Sequence, residues 1–325
     1  MSVWPIALGD VEAARDRLRP HLPKTPLRSY AALDEAVGAG IHVLVKHENF
    51  QPTGAFKVRN GVSALTALSR DELARGVVAA TRGNHGLGLA WAGRRLGAPV
   101  TVCVPLGNSP EKNAAVRGLG ARLVEEGRDY DESVAAAERL VREDGLHLVH
   151  STNDPAVVAG AGTLTLEMLE EEPGIEALVF SVGGGSQAVG GLTVARALEP
   201  PRPIYAVQAA GASAIHDAWH LGRPVSKPSA DTFADGLATR NTYPFTFGAL
   251  REGLAGFVTV TDAEIAEAVR LLLSTTHTLV EGAGAAGLAG LFKLRDALAG
   301  RIVGIVLSGA NIDRETLRRV LAGEI

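Results

Sequence analysis

The chain has 325 residues, of which 46% are hydrophobic and 21% charged, and its formal net charge is −4. This length is typical of two domains or lobes with a large buried core. The near-neutral charge, without a run of like charges, argues against binding to nucleic acid or to a membrane surface. Cys103 is the only cysteine, so no internal disulfide can form, and a reducing cytoplasm fits.

The N-terminal segment, residues 1–18, has no basic flank before a long apolar run, so we expect no secretory signal. Further along the chain, apolar stretches are interrupted every few residues by Gly, Arg or Glu, and none is long enough to cross a bilayer. We find no repeat at a fixed period and no low-complexity tract.

Short apolar runs then alternate with helical patterns. The predicted strands are residues 41–47, 76–81, 99–105, 121–127, 177–182, 203–209 and 301–309. The predicted helices are residues 57–68, 85–96, 130–143, 186–198, 262–275 and 283–298. Because continuous apolar strands alternate with helices, we predict an α/β fold with mostly parallel sheets covered by helices on both faces.

Polar or glycine-rich turns follow four of the predicted strands. They are NFQPTGAFKVRN (49–60), RGNHG (82–86), GGGSQAVGG (183–191) and ANID (310–313). Ligands in parallel sheets bind beyond the carboxyl ends of the strands, so we expect one site built from these loops.

Lys57 occupies an unusual setting, directly after Gly54-Ala55-Phe56, in a chain that uses arginine at most basic positions. On local sequence alone, this setting is typical of a lysine whose stem packs while its ammonium group reaches water. The alternative is an amine held in a cleft as a nucleophile or base.

The segment 183–191 leaves a predicted strand and begins a predicted helix. Three glycines let backbone N–H groups converge on an anion, and Ser186 and the helix N-terminus add further donors. A phosphate site is favoured over a flexible tight turn. The chain has no Gly-Lys dipeptide, so a P-loop is excluded. The dinucleotide-like GAGAAG (282–287) lacks a preceding strand, and we interpret it as a small-residue turn before a packed helix.

A phosphate site together with Lys57 favours pyridoxal 5′-phosphate, whose aldehyde condenses with a lysine amine. In LSGAN (307–311), Ser308 supplies a hydroxyl that suits the pyridine nitrogen. A neutral hydroxyl leaves that nitrogen unprotonated, which favours elimination over transamination. The alternative role for Ser308 is a helix N-cap.

These motifs resemble the serine/threonine dehydratase family of fold-type II pyridoxal-phosphate enzymes, which have a tryptophan synthase β-like fold; the family also includes serine racemases. The resemblance covers nearly the whole chain, in the order KTPL (24–27), KHENFQPTGAFKVRNG (46–61), TRGNHGLGLAWAGRRLG (81–97), SVGGGSQAVGG (181–191) and LSGAN (307–311). Ala55 stands where the family usually has serine, and Ser186 replaces the fourth glycine of its phosphate loop.

The resemblance implies that Lys57 forms the Schiff base and accepts the Cα proton. It implies that the remaining cofactor contacts come from Phe56, Asn84, Gly183, Gly184, Gly185, Ser186 and Ser308. Phe56 would pack on the cofactor, Asn84 would bond the ring hydroxyl, and Ser308 would meet the ring nitrogen. The alternatives are purely structural roles, namely ordinary core packing for Phe56 and helix capping for Asn84.

By the same resemblance, the substrate carboxylate is held by the loop Thr81, Arg82, Gly83, Asn84 and His85. For His85, too, helix capping is the alternative. Racemases of the family have a serine at the position of Arg82, which supplies a proton on the face away from the lysine. An arginine cannot be that acid at neutral pH. Arg82 therefore contacts a substrate side-chain group, helps hold the α-carboxylate, or turns to solvent or to a salt bridge.

The implied architecture is a large cofactor-binding lobe of residues 1–49 plus 152–325 and a small mobile lobe of residues 50–151 that carries the Asn-His loop. The cofactor lies between them, and the small lobe closes over the substrate. The chain ends soon after LSGANID, so we expect no C-terminal regulatory domain. We expect no divalent cation where relatives bind one, because the corresponding positions are Gln208, Ala212 and Ala214.

The implied activity is β-elimination of a β-hydroxy-α-amino acid such as L-threonine or L-serine to a 2-oxo acid and ammonia. Alternatives are a dehydratase specific for 3-hydroxyaspartate or phenylserine, a racemase of the same fold, and a non-catalytic binder of a phosphate ligand. We expect a cytoplasmic homodimer whose partner is a small amino-acid substrate, with no nucleic acid and no membrane.

Overall fold

The computed structural model describes residues 4–128 and 130–325. The strands in this part of the chain are β1 (Leu27–Ser29), β2 (His42–Lys46), β3 (Val77–Ala80), β4 (Val100–Val104), β5 (Arg122–Glu125), β6 (His147–Leu148), β7 (Ala177–Ser181), β8 (Ile204–Ala209), β9 (Gly256–Val260) and β10 (Ile302–Val306). They form a six-stranded sheet in the order β1-β2-β10-β7-β8-β9 and a four-stranded sheet in the order β5-β4-β3-β6. All neighbours are parallel except β1, which pairs antiparallel with β2 at the edge of the larger sheet.

The helices between the strands are α1 (Leu8–Leu18), α2 (Ala31–Val37), α3 (Lys57–Ala67), α4 (Arg70–Arg75), α5 (Asn84–Leu96), α6 (Pro110–Gly118), α7 (Tyr130–Asp144), α8 (Pro155–Glu171), α9 (Ser186–Ala195), α10 (Ala214–Leu221), α11 (Pro244–Gly253), α12 (Asp262–Thr276), α13 (Gly282–Leu294) and α14 (Arg314–Leu321). Short 3₁₀ turns lie at Glu48–Phe50, Ala210–Ala212 and Asp235–Leu237. Among the described residues, no helix combines the length and the apolar character needed to cross a membrane.

Helices cover both faces of each sheet. One core beside the larger sheet is formed with α2, α12 and α13, and a second on its other face with α8, α9 and α11. The smaller sheet packs against α3 and α5 on one face and against α7 on the other. The prediction of an α/β fold with mostly parallel sheets flanked by helices is confirmed.

Every predicted strand and helix is present, with ends that shift by a few residues. The interpretation of residues 282–287 as a turn is wrong, because they form the first turns of α13. The small residues of this helix let it approach the sheet closely. A methyl carbon added at Gly290 would lie 2.1 Å from a Val207 methyl on β8.

The strands of the smaller sheet run between Val77 and Leu148, inside the range predicted for the small lobe. The strands of the larger sheet lie before and after this range. The lobe limits at residues 50 and 151 stay a prediction. This arrangement directs the carboxyl ends of β3, β7 and β10 to a common cavity.

Candidate active site

One cavity gathers the loops that follow these strands. Its walls include every residue predicted for the site, which are Phe56, Lys57, Thr81, Arg82, Gly83, Asn84, His85, Gly183, Gly184, Gly185, Ser186 and Ser308. Residues as far apart in sequence as Phe56 and Ser308 are therefore brought together, as the strand-end argument predicted.

Lys57 is positioned by the end of β10. The Phe56 N–H donates to the Ser308 carbonyl at 2.9 Å, and Ala55 and Gly309 form an antiparallel bridge. Lys57 begins α3, and its Nζ donates to the Ser186 hydroxyl at 3.1 Å. The same Nζ lies 4.8 Å from the centroid of the Phe56 ring. The amine therefore lies in the cavity beside the glycine loop.

Burial lowers the pKa of Lys57 to about 8, because desolvation penalises the ammonium form. A lysine with this pKa has a substantial neutral fraction near physiological pH. That neutral amine has a lone pair, so it can attack a carbonyl carbon or accept a proton.

The glycine loop joins β7 to α9 and is closely packed. Gly185 has φ of +97°, in the left-handed region that favours glycine. A methyl carbon added at Gly183 would lie 2.2 Å from the Gly236 carbonyl oxygen, so no side chain fits there. The Gly184 carbonyl accepts a hydrogen bond from Thr246 at 3.0 Å.

The loop leads directly into the N-terminus of α9, where the first N–H groups have no intrahelical acceptor. Together with the Ser186 hydroxyl, these groups form a cradle for an anion. The backbone of this cradle is shaped by packing and by hydrogen bonds.

Asn84 belongs to a partly buried hydrogen-bond chain. Its Nδ2 donates to Glu281 Oε1 at 2.7 Å, and its Oδ1 accepts from Asn311 Nδ2 at 2.7 Å. Asn311 also donates to the Thr53 carbonyl at 2.9 Å. The amide orientation of Asn84 is thereby fixed, and one Nδ2 hydrogen is left for a ligand. Its side chain thus bonds Glu281 and Asn311 instead of capping α5.

Sequence reasoning missed Glu281, which is 8% exposed and lines the cavity. Burial raises its pKa to about 7, since desolvation penalises the carboxylate. The available signal is its position directly before the glycines of α13.

His85 is buried, and its Nε2 donates to the Val149 carbonyl at 3.0 Å. Burial, with a further contribution from nearby Lys57, lowers the pKa of His85 to about 3. Its buried Nδ1 has no hydrogen-bond partner among the described residues. In the same loop, Thr81 Oγ1 accepts from the Gly83 N–H at 2.9 Å and shapes the backbone.

Two further ionic residues at the cavity were also missed. Lys112 at the start of α6 forms an ion pair with Asp235 from the other side of the cavity. Burial opposes the charge on Lys112, but Asp235 outweighs it and the pKa of Lys112 is raised. Arg82 lines the cavity and is partly buried, and it makes no ion pair or hydrogen bond with any described residue. The alternative of a salt bridge to another loop is thus not observed.

Ser308 follows β10, is 5% exposed and lines the cavity. The alternative role as a helix N-cap is wrong, because α14 begins at Arg314 with Asp313 at its N-cap. At the position where a metal was expected to be missing, Gln208 Oε1 accepts from the His216 N–H at 2.9 Å. The absence of a cation there stays a prediction.

A family model described as pyridoxal-phosphate dependent enzyme matches residues 18–309. The chain belongs to this family. The L-threonine ammonia-lyase of Geobacter sulfurreducens is 39% identical over 312 residues, which are 96% of this chain and 77% of that protein.

Two further proteins show the range of the similarity. The L-threo-3-hydroxyaspartate ammonia-lyase of Saccharomyces cerevisiae is 32% identical over 97% of this chain and 96% of its own length. The structure of maize serine racemase superposes with a TM-score of 0.92 at 27% identity, over 99% of this chain and 98% of that one. The fold is therefore that of the fold-type II enzymes.

Pyridoxal 5′-phosphate is the cofactor of this family, and the cavity fits it. Lys57 offers an amine with a lowered pKa for the aldehyde. The glycine loop offers a phosphate cradle, and the Gly236 backbone beside it leaves no room for a side chain at Gly183. The free Nδ2 hydrogen of Asn84 and the hydroxyl of Ser308 suit the ring hydroxyl and the ring nitrogen.

Proposed function

We propose that this protein eliminates water from a β-hydroxy-α-amino acid, such as L-threonine or L-serine, and releases a 2-oxo acid and ammonia. The observation that carries the proposal is the Lys57 amine, whose pKa is about 8 and which lies 3.1 Å from Ser186 at the phosphate cradle. Similarity to an L-threonine ammonia-lyase over 96% of the chain supports the same reaction.

In this proposal, the substrate α-carboxylate binds at the loop Thr81–His85, where the first N–H groups of α5 have no intrahelical acceptor. The bound cofactor supplies the electron sink for the Cα carbanion. Once the substrate amine has displaced it from the cofactor, the Lys57 amine removes the Cα proton, because it lies in the same cavity. The departing β-hydroxyl takes up one proton, which balances the proton removed from Cα, so one water is released. Ser308 carries no charge and leaves the ring nitrogen unprotonated, which favours elimination.

The fixed amide of Asn84 orients the ring. Its Oδ1 is occupied by Asn311 and one Nδ2 hydrogen by Glu281, so only a donor remains for the cofactor. We propose that Phe56 packs on the ring, since it is 8% exposed and lines the cavity.

A racemase is the second candidate, supported by the similarity to maize serine racemase. Racemisation needs a proton donor on the face opposite Lys57. The guanidinium of Arg82 does not release a proton at neutral pH. We therefore expect ammonia release from L-serine to exceed D-serine formation, measured together by a coupled ammonia assay and chiral chromatography. A larger yield of D-serine would favour the racemase.

The proposal is tested by screening L-threonine, L-serine, 3-hydroxyaspartate and phenylserine for ammonia release. Lys57→Ala should abolish turnover and the visible absorbance band of the lysine-bound cofactor while the far-UV circular dichroism stays unchanged. The matched control is Lys293→Ala. Lys293 is an exposed lysine of α13 that forms an ion pair with Glu264 of α12. Wild-type ammonia release by Lys57→Ala would refute the mechanism, and a cofactor band without turnover of any substrate would favour a non-catalytic binder.

We also propose a cytoplasmic homodimer with lobes 1–49 plus 152–325 and 50–151. The single buried cysteine supports a reducing compartment. Light scattering after gel filtration tests the dimer, and a monomeric mass would contradict it.

A further inference from the structure

Two cations flank Gly83 on one wall of the active-site cavity. Arg82 directly precedes Gly83 in the chain, and the side chain of Lys112 packs over Gly83. A methyl carbon added at Gly83 would lie 3.1 Å from Lys112 Cδ and 3.9 Å from Lys112 Nζ. Both residues line the cavity. We call Arg82 and Lys112 the cationic wall.

The charge of the cationic wall is only half compensated by the protein. Lys112 has its counter-ion in Asp235. Arg82 has no acidic partner among the residues that the structure describes, although it is partly buried. The other acid at the cavity, Glu281, accepts a hydrogen bond from Asn84. One permanent positive charge therefore faces the cavity, where a partly desolvated ion favours an anionic ligand.

The α-carboxylate of an amino acid does not require Arg82. The first intrahelical bond of α5 runs from the Leu87 N–H to the Gly83 carbonyl at 3.1 Å. The N–H groups of Asn84, His85 and Gly86 thus have no acceptor within the helix. These groups suit one carboxylate, and the planar fork of Arg82 is left for a second one.

The cofactor phosphate does not account for Arg82 either. Its cradle is the glycine loop between β7 and α9, on the larger sheet, whereas Arg82 follows β3 of the smaller sheet. The Ser186 hydroxyl and the N-terminus of α9 already serve that anion.

Resting on the proposed elimination reaction, we infer that Arg82 binds a carboxylate on the substrate side chain, so that the preferred substrates are β-hydroxy-α-amino dicarboxylic acids such as 3-hydroxyaspartate. The reaction then breaks the Cα–H and Cβ–O bonds and releases water. Addition of one water and loss of ammonia give a 2-oxo dicarboxylic acid. Overall, one substrate molecule gives one 2-oxo dicarboxylic acid and one ammonia, and no oxidant or reductant is consumed.

The test compares ligands that differ in the side-chain charge but cannot lose a β-hydroxyl. L-aspartate and L-asparagine are titrated into the holoenzyme, with binding followed by cofactor absorbance and by calorimetry. We expect wild type to bind L-aspartate about 10- to 100-fold more tightly than L-asparagine, the range for a charged hydrogen bond. Arg82→Gln should reduce this preference to about onefold, because it removes the fork. The control Arg95→Gln, at the exposed last turn of α5, should keep the preference.

The kcat/KM for 3-hydroxyaspartate and for L-threonine provides the second measurement. Arg82→Gln should lower kcat/KM for 3-hydroxyaspartate at least about tenfold more than it lowers kcat/KM for L-threonine. An equal loss on both substrates, or equal weakening of L-aspartate and L-asparagine, would place Arg82 on the α-carboxylate and overturn the inference. No preference for L-aspartate in wild type would also overturn it.

The two proposals fail in different ways. If wild type prefers L-aspartate through Arg82 but releases no ammonia from any hydroxy amino acid, the elimination reaction is wrong and the carboxylate subsite stands. If ammonia is released from L-threonine while L-aspartate and L-asparagine bind alike, the elimination reaction stands and the subsite is wrong.

Discussion

The lowered pKa of Lys57 determines how fast the cofactor-free protein can capture pyridoxal 5′-phosphate. At pH 7, an amine with the ordinary pKa of 10.5 is neutral in about 0.03% of molecules, whereas a pKa of about 8 raises this fraction to about 9%. Only the neutral amine attacks the aldehyde, so burial increases the reactive population roughly 300-fold. The rate constant for capture should therefore rise about tenfold per unit of pH below pH 8 and become level above it.

The assay is stopped-flow absorbance of the cofactor-free protein mixed with limiting pyridoxal 5′-phosphate, from about pH 6 to about pH 10, because the second-order rate constant reports the free protein. Lys57→Ala is the control and should show no capture phase. Lys112 should not contribute in this range, because Asp235 outweighs the effect of burial and raises its pKa. A wild-type rate constant that keeps rising about tenfold per unit up to pH 10 would refute the reasoning, since the amine would then titrate like an exposed lysine.

Three further predictions concern the surroundings of the site. Arg59→Met should lower the free energy of unfolding by about 3–5 kcal/mol in urea titrations, because the fully buried Glu48 loses the guanidinium that it binds at 2.8 Å. The control is Arg139→Met, which removes an exposed ion pair with Glu126 and should cost far less. Equal losses of unfolding free energy in the two variants would contradict the prediction. Glu281→Gln should remove an inflection near pH 7 from the pH dependence of the cofactor dissociation constant, because above that pH the wild-type carboxylate repels the anionic cofactor. If the dissociation constants of the two proteins depend on pH in the same way, Glu281 does not repel the cofactor. Chelator treatment should leave turnover unchanged, because Gln208 carries no charge for a hard cation, and a large loss restored by magnesium or calcium would oppose this expectation.

Features with a local sequence signal were predictable. The glycines between β7 and α9, and Lys57 after a small-residue turn, are recognisable within a dozen residues, and the structure places them in one cavity. Continuous apolar runs likewise identified the central strands, because strands buried on both faces need apolar side chains at every position.

Features that depend on distant contacts were not predictable. The ion pair of Lys112 with Asp235 joins residues far apart in sequence, and neither residue has a local pattern. The helix α8 is buried nearly all round and therefore lacks an amphipathic period, and the short strands β1 and β6 offer too few residues for one. The glycines of α13 are typical of a turn by composition, whereas packing against the sheet makes them helical.

The most direct test of the account is the identity of the lysine that carries the cofactor. The holoenzyme is reduced with borohydride, digested, and mapped by mass spectrometry. We expect the pyridoxyl group on Lys57, which lies beside the phosphate cradle and has a pKa of about 8. A label on Lys112, the other lysine among the residues that line the cavity, or no stable label on any lysine, would contradict the assignment of Lys57.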